Sequence, residues 1–220
     1  KFSEINEAKK IFNSASLINK STILPVNKIN DYLVKVLNRE FEPFSSLRIL
    51  SSHFLYDTFK NEARVILDGN GGDEIGAGYN YHIAPWYLDI IKDKKIKANS
   101  RLNKIVNLIH NSNKKKPVDN FFKGSLSHFK NPGSSTADGS FYKFDEVLNK
   151  EFSEMEDYSM LFKRPFKSNL RNAQYLDLMY LKLPRTLKYV DRASMYNSIE
   201  TRVPFLDHKV VERAFIIPSK

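Results

Sequence analysis

Residues 68–74 read DGNGGDE: three glycines set around an Asn, with two adjacent carboxylates, Asp73 and Glu74, directly after them. Gly69, Gly71 and Gly72 let the backbone reach positive φ and come close to a bound group. Their amides can form a concavity for an anion. Two carboxylates beside a phosphate repel it unless a divalent cation lies between them. Mg²⁺, a hard cation that takes one or two carboxylates together with phosphate oxygens, meets that need. The loop by itself points to a Mg-nucleotide or to pyrophosphate. Two commoner loops are excluded: GxxxxGK[ST] is absent, and the sixth position of GxGxxG is occupied here by Glu74. The same residues also suit a tight strand-to-helix turn in which Asp73 and Glu74 serve the start of the helix. The loop alone leaves both accounts open.

A second dense stretch, residues 183–208, reads LPRTLKYVDRASMYNSIETRVPFLDH. Charge and apolar residues are too closely mixed there for a solvent-facing helix. Asp191, Arg192, Glu200, Arg202 and Asp207 must pair with one another or meet a ligand. A structural network, such as Arg202 with Asp207, is the simpler account of Glu200, Arg202 and Asp207. For Asp191 and Arg192, pairing and ligand contact both remain open. Residues 203–206, VPFL, read as a buried extended turn between helices.

The elements that must carry these stretches follow from apolar spacing. ARVIL, residues 63–67, suits a buried parallel strand, and a strand ending in a glycine-rich turn sits where open parallel sheets place their ligands. Helical spacing marks residues 4–13, 28–40 and a longer stretch from Ser45. An apolar stretch at 17–24 suits a strand ending at Pro25. Further helices are expected at 84–95, 98–111, 119–129, 169–181 and after Pro184, and a last one from Asp207, its N-cap, to Ile217. NPGSSTADGS, residues 131–140, reads as an exposed loop, and residues 145–163 are weakly patterned. Helix and strand alternate early and helices follow, which defines an α/β layer with a helical extension.

Composition sets the outer limits. The chain has 220 residues, 41 % hydrophobic and 13 % aromatic, enough to bury a core in a folded globular chain. No apolar run approaches the ~18 residues of a membrane span, and the first residues read as an amphipathic helix rather than a secretory leader. No membrane partner is expected. The first residue is Lys rather than Met, which reads as a piece of something longer. With no Cys there is no disulfide, thiolate metal site or Cys nucleophile in this stretch, and a reducing, cytoplasmic location fits. The net charge of +10 is scattered, its densest run lying at 114–116 before Pro117. It reads as a solvated basic surface, not a nucleic-acid groove, and an anionic small-molecule substrate would welcome the field.

Taken together, the two dense stretches resemble the asparagine synthase family, the synthetase half of glutamine-dependent asparagine synthetases and their relatives. VILDGNGGDEIGAGYNYH is similar to the family's strand and Ser/Asp-Gly-x-Gly-x-Asp-Glu loop, followed by Gly-Tyr. LPRTLKYVDRASMYNSIETRVPFLDHKVVERAF is similar to its Leu-Pro … Asp-Arg-x-Ser-Met … Glu-x-Arg-x-Pro-Phe-Leu-Asp signature. Residues 7–43 are compatible with the helix, strand and helix that precede the loop, and 82–168 form a variable helical region. The resemblance implies that residues 1–220 are a partial synthetase domain. Its fold would be α/β and mostly helical, part of a parallel-sheet ATP-pyrophosphatase-type (adenine nucleotide α-hydrolase-like) domain. It further implies a ligase that uses ATP to adenylate a carboxylate, releases pyrophosphate, and lets ammonia displace AMP to leave an amide. Asp68, Gly69, Asn70, Gly71, Gly72 and Asp73 would then meet ATP and pyrophosphate, with Mg²⁺ on Asp73 and Glu74 near the acyl acceptor. Asp191 and Arg192 would orient the substrate or the loop, and Glu200, Arg202 and Asp207 would brace that wall. The implied partners are a small-molecule carboxylate, ammonia from a glutaminase domain and, as a homodimer, a second copy of the chain.

The family's Ser-Gly-Gly-x-Asp-Ser loop, its glutaminase Cys and its later Gly-Lys … Leu-Arg segment do not occur in these 220 residues. This stretch alone is therefore not expected to complete the reaction. Asn70 stands where asparagine synthetases proper usually carry an acid, and an amide cannot act as a base on ammonium near neutral pH. That brings in two alternatives: a sugar acid or other carboxylate as acceptor, and a catalytically inactive family member serving as a binding module.

Overall fold

The computed structural model describes residues 5–42, 44, 47–92, 124–127, 129–130 and 162–218. In chain order the elements are α1 (Ile5–Ser14), α2 (Ile29–Glu40), α3 (Arg48–Phe59), β1 (Val65–Leu67), α4 (Gly72–Gly76), α5 (Ile83–Lys92), α6 (Asn169–Leu176), α7 (Leu183–Met195), β2 (Glu200–Arg202) and α8 (His208–Ile216). Short 3-10 turns lie at Val26–Lys28, Asn80–His82 and Pro204–Leu206, and a π turn at Asp177–Leu181. β1 and β2 pair as a two-stranded sheet. Glu200 N–H donates to Arg64 O and Asp68 N–H to Arg202 O, each at 2.8 Å. Both strands advance together, which is the parallel register. The chain is α/β and mostly helical. Among the described residues no helix is long and apolar enough to cross a membrane.

The chain divides into two compact units: residues 1–66 with 189–201, and residues 67–188 with 202–220. In the first, Val36, Ile49 and Leu50 form one apolar cluster under Leu33, Tyr32 and Tyr189. Tyr56, Ala193 and Ile199 form a second with Ile66 and Val190. In the second unit the core includes Ile75, Tyr81, Ala84, Leu170, Ala173 and Leu176. There α5 fixes the start of α6 through one side chain. Asp89 accepts hydrogen bonds from Ser168 Oγ, Asn169 N–H and Leu170 N–H at 2.6, 2.7 and 3.0 Å. Ser168 itself caps the helix by accepting from Arg171 N–H at 3.1 Å. Orphan donors of a helix start are thus satisfied from two sides.

Several sequence expectations change here. Residues 17–24 form no strand: they are irregular, and Leu17, Ile18 and Ile23 are exposed. A short apolar run has no period long enough to distinguish strand from coil, and pairing decides. The 63–67 run does contain a parallel strand, but Val65 and Leu67 are exposed and not buried. Among the described residues nothing covers the face that Val65 and Leu67 share. The helix expected from Ser45 begins at Arg48. The helix expected over 169–181 ends its α-helical part at Leu176 and widens into the π turn, closed by Lys182 N–H to Asp177 O at 3.2 Å. Residues 203–206 form a 3-10 turn rather than an extended one, with Phe205 exposed, and they join a strand to a helix. The expectations for 98–111, 131–140 and most of 145–163 lie outside the described residues, as does the first part of 119–129. Residues 124–127 and 129–130 are helical.

In the first unit α2 and α3 are joined by a carboxylate hub. Tyr32, Lys35 and Arg39, spaced along one face of α2, all donate to Asp57 of α3, with Lys35 Nζ at 2.9 Å and Arg39 Nη1 at 2.8 Å. These three donors hold the Asp57 carboxyl well below the usual carboxylate range against the opposing effect of its burial. A depressed native value means that the contribution is complete above the unfolded value and is lost as pH falls toward the native one. We expect Asp57→Asn to lower the thermal unfolding midpoint at pH 7. The gap from the wild type should narrow steadily below about pH 4, as melts across pH 3–7 will measure.

Candidate active site

The glycine-rich loop lies in the second unit and its conformation follows from three local facts. Asp68 Oδ1 accepts from Asn70 N–H at 2.7 Å, closing an Asx turn directly after β1. Gly71 then takes φ of 94°, a region that side chains rarely enter. Its α-carbon also faces Leu206: a Cβ at Gly71 would lie 2.7 Å from Leu206 Cγ. At Gly72 a Cβ would meet only the Phe205 ring, at 3.5 Å, and at Gly69 nothing within 4 Å. Of the three glycines, Gly71 is the one that the fold demands. Asn70 N–H and Gly72 N–H are taken up inside the loop, the latter by Gly69 O at 3.3 Å. The anion concavity expected from the glycines is narrower than all three amides would make it.

The two acids diverge. Asp73 is exposed, and its carboxylate makes no hydrogen bond or salt bridge among the described residues. Glu74 is 3 % exposed, and its Oε1 accepts from Tyr79 Oη–H at 2.7 Å. Tyr79 is stacked on Tyr81 with ring centroids 5.1 Å apart, and Lys182 Nζ lies 4.1 Å from the Tyr79 centroid. Burial, and next the bond to Glu74, pushes the Tyr79 phenol far above its ordinary value, so it holds its proton and donates. Tyr81 is raised likewise by burial and by Asp177. Asp177, on the π turn, accepts from Tyr81 Oη–H at 3.0 Å and pairs with His82 Nε2 at 2.8 Å, all three side chains being buried. Gln174 of α6 donates its amide to Glu74 O at 3.0 Å and Ile75 O at 2.8 Å, which ties α4 in place. A cleft of about 440 Å³ opens beside α4, lined by Gly72, Ile75, Gln174, Arg171, Phe205 and Ala214 among others. Neither acidic side chain of the loop lines it.

Asp191 and Arg192 belong to the first unit, and each is described there. Asp191 is exposed on α7. Arg192 Nη1 reaches Glu42 Oε1 at 2.8 Å, Glu40 O at 3.1 Å and Glu40 Oε2 at 3.2 Å. The Glu40 bond raises the guanidinium above its ordinary value. Glu40 is buried, and its other oxygen meets the buried His53 Nε2 at 2.7 Å. Pairing thus accounts for Arg192 within its own unit. Asp207 caps α8 as expected, its Oδ1 accepting from Lys209 N–H at 2.9 Å.

Sequence reasoning gave no role to Gly78, Tyr79, Gln174, Asp177, His82 or Glu40. The Gly-Tyr pair is part of the motif the loop resembles, but its contacts with Asp73 and Glu74 appear only in the structure. The His82 to Asp177 pair spans 95 residues, and no spacing signal carries that far. Among the described residues no group of three or more His, Cys, Asp or Glu is placed to hold a metal ion. A cation at Asp73 would take its remaining ligands from phosphate oxygens and water, which suits Mg²⁺.

A short parallel strand running into a glycine-rich, diacidic turn and a helix defines the class as an α/β protein, with that turn where open parallel sheets place their ligands. The asparagine synthase family model matches residues 1–220, and the chain belongs to that family. It is 25 % identical over 228 residues to "asparagine synthetase [glutamine-hydrolyzing] 1" of Bacillus subtilis (strain 168), a match that covers all of this chain. The chain spans 35 % of that relative's length. No solved structure matches it.

The loop geometry separates its glycines by experiment. Gly71→Ala is expected to destabilise the protein by about 2 kcal/mol or more, combining left-handed strain with overpacking on Leu206. Gly69→Ala should stay within about 0.5 kcal/mol. Chemical denaturation of both variants checks this, and equal losses would refute the assigned seat of Gly71.

Proposed function

We propose that the chain is part of an ATP-dependent amide-forming ligase. A carboxylate oxygen of the acceptor attacks the α-phosphorus of ATP, and the bond to pyrophosphate breaks. The nitrogen of ammonia, supplied from glutamine by a separate glutaminase domain, then attacks the acyl carbon. The bond to AMP breaks, a proton is lost, and the amide remains. The family membership supports the reaction type. The name of the Bacillus relative supports glutamine as the nitrogen source and asparagine as the product. The ATP-pyrophosphatase type of domain and a cytoplasmic setting belong to the same reading.

The observation that carries the reading is the divergence of the two loop acids. Asp73 is exposed, free of cationic neighbours in hydrogen-bond range among the described residues, and set one residue after two glycines. That is the donor a Mg²⁺ ion shares with phosphate oxygens. When bound, Mg²⁺ supplies charge neutralisation to the departing pyrophosphate. Asp68 and Gly71 shape the loop for close approach, with Gly69, Asn70 and Gly72 completing its turn. Glu74 faces inward on Tyr79, placed to act behind the loop.

In the full-length polypeptide, cleavage of ATP to AMP and pyrophosphate should require both Mg²⁺ and a carboxylate acceptor. Asp73→Ala should lower that rate by about 100-fold or more. Pyrophosphate release with aspartate and with uronic acids, each measured against a no-acceptor control, checks the reaction. Unchanged turnover in Asp73→Ala would remove that residue from the site.

A further inference from the structure

The dipeptide that follows α4 touches both acids of the loop, each in a different way. The Asp73 side chain occupies the space over Gly78. A Cβ on Gly78 would press against Asp73 Oδ1, lie 2.9 Å from its Cγ and come within 3.1 Å of its Cα. Gly78 N–H also donates to Asp73 O at 2.9 Å, so the glycine backbone follows the residue whose carboxylate it accommodates. Gly78 does not adopt positive φ. Its lack of a side chain therefore serves the close approach of Asp73, carboxylate and Cα together, and not a positive φ of its own. The next residue, Tyr79, treats Glu74 oppositely. Its hydroxyl donates to Glu74 Oε1 from a ring stacked on Tyr81, and the carboxylate it holds is buried.

We propose that Gly78 and Tyr79 are positioning residues that divide the labour of the two carboxylates. Gly78 leaves Asp73 the room to face solvent as the metal donor, and Tyr79 keeps Glu74 turned inward, away from the metal. The proposal rests on the Mg-nucleotide reading of the loop. It adds that the cation is held by Asp73 and not by a pair of acids. Adjacent carboxylates could both close on one Mg²⁺, since the ion takes one or two. A phenol that donates to one of them prevents this, because it occupies an oxygen the ion would need and holds the side chain inward. Gly76, two residues earlier, supplies the internal control. A Cβ there would meet nothing within 4 Å, and its φ is not positive.

The test is the Mg²⁺ dependence of inorganic pyrophosphate binding to the full-length polypeptide, followed by titration calorimetry. Gly78→Ala should raise the Mg²⁺ concentration for half-maximal binding by about tenfold, with saturating Mg²⁺ restoring the affinity. Gly76→Ala should leave that concentration within about twofold of the wild type, whereas Tyr79→Phe, which frees Glu74 to join the ion, should lower it by about threefold or more. The double variant Asp73→Ala with Gly78→Ala removes the Oδ1 and Cγ contacts and leaves the 3.1 Å approach to Cα, so it keeps the test open if Gly78→Ala does not fold. It should bind as Asp73→Ala alone does, because two changes acting through one carboxylate do not add. A wild-type midpoint in folded Gly78→Ala would overturn the proposal, as would a double variant weaker than Asp73→Ala. An unchanged or raised midpoint in Tyr79→Phe would overturn the division between the acids. If the wild type binds no pyrophosphate at any Mg²⁺ concentration, the nucleotide reading itself falls, and the proposal with it.

Discussion

Gly71 meets two demands at once: a φ of 94° and the side chain of Leu206 packed against its α-carbon. Either demand alone disfavours a side chain, and together they exclude one. This contact sets the loop against the 3-10 turn Pro204–Leu206, which Asp207 in turn joins to the capped start of α8. From the other side the Gln174 amide fixes the carbonyls of Glu74 and Ile75. A five-residue helix such as α4 has little stability of its own. Its orientation, and with it the direction of both loop acids, is imposed by these neighbours.

The treatment of buried charge differs between the units. In the first, Glu40 is shared between His53 and Arg192, so a carboxylate deep in the fold is answered by a cation and an imidazole. In the second, phenols answer two buried carboxylates: Tyr79 serves Glu74, and Tyr81, together with His82, serves Asp177. Burying an acid costs several kcal/mol unless it is well bonded. A phenol whose own value is driven upward by burial keeps its proton and stays a donor to the acid it serves. The Lys182 ammonium over the Tyr79 ring adds positive potential to the cluster without bonding the phenol oxygen.

Much of the site could be read in advance because its signals are local. The position of the loop, the strand before it, the N-cap at Asp207 and the helical faces of α2, α6 and α7 depend on residues a few places apart. The α6 pattern held until Leu176 and failed at Asp177, where an inward carboxylate accompanies the wider turn. The strand expected at 17–24 failed because apolar content describes a segment and pairing describes two.

The residues alone determined that a glycine-rich, diacidic turn follows a strand and which family the motifs resemble. These are matters of backbone freedom, charge and short-range spacing. Tertiary structure alone decided that Gly71 is the glycine the fold requires, that Asp73 faces out while Glu74 faces in, and that Arg192 is met by Glu40 and Glu42. The reason is distance along the chain: Leu206, Gln174 and Glu40 lie about a hundred residues or more from the groups they constrain. Only folding brings such groups within a few ångströms, where packing and desolvation take effect.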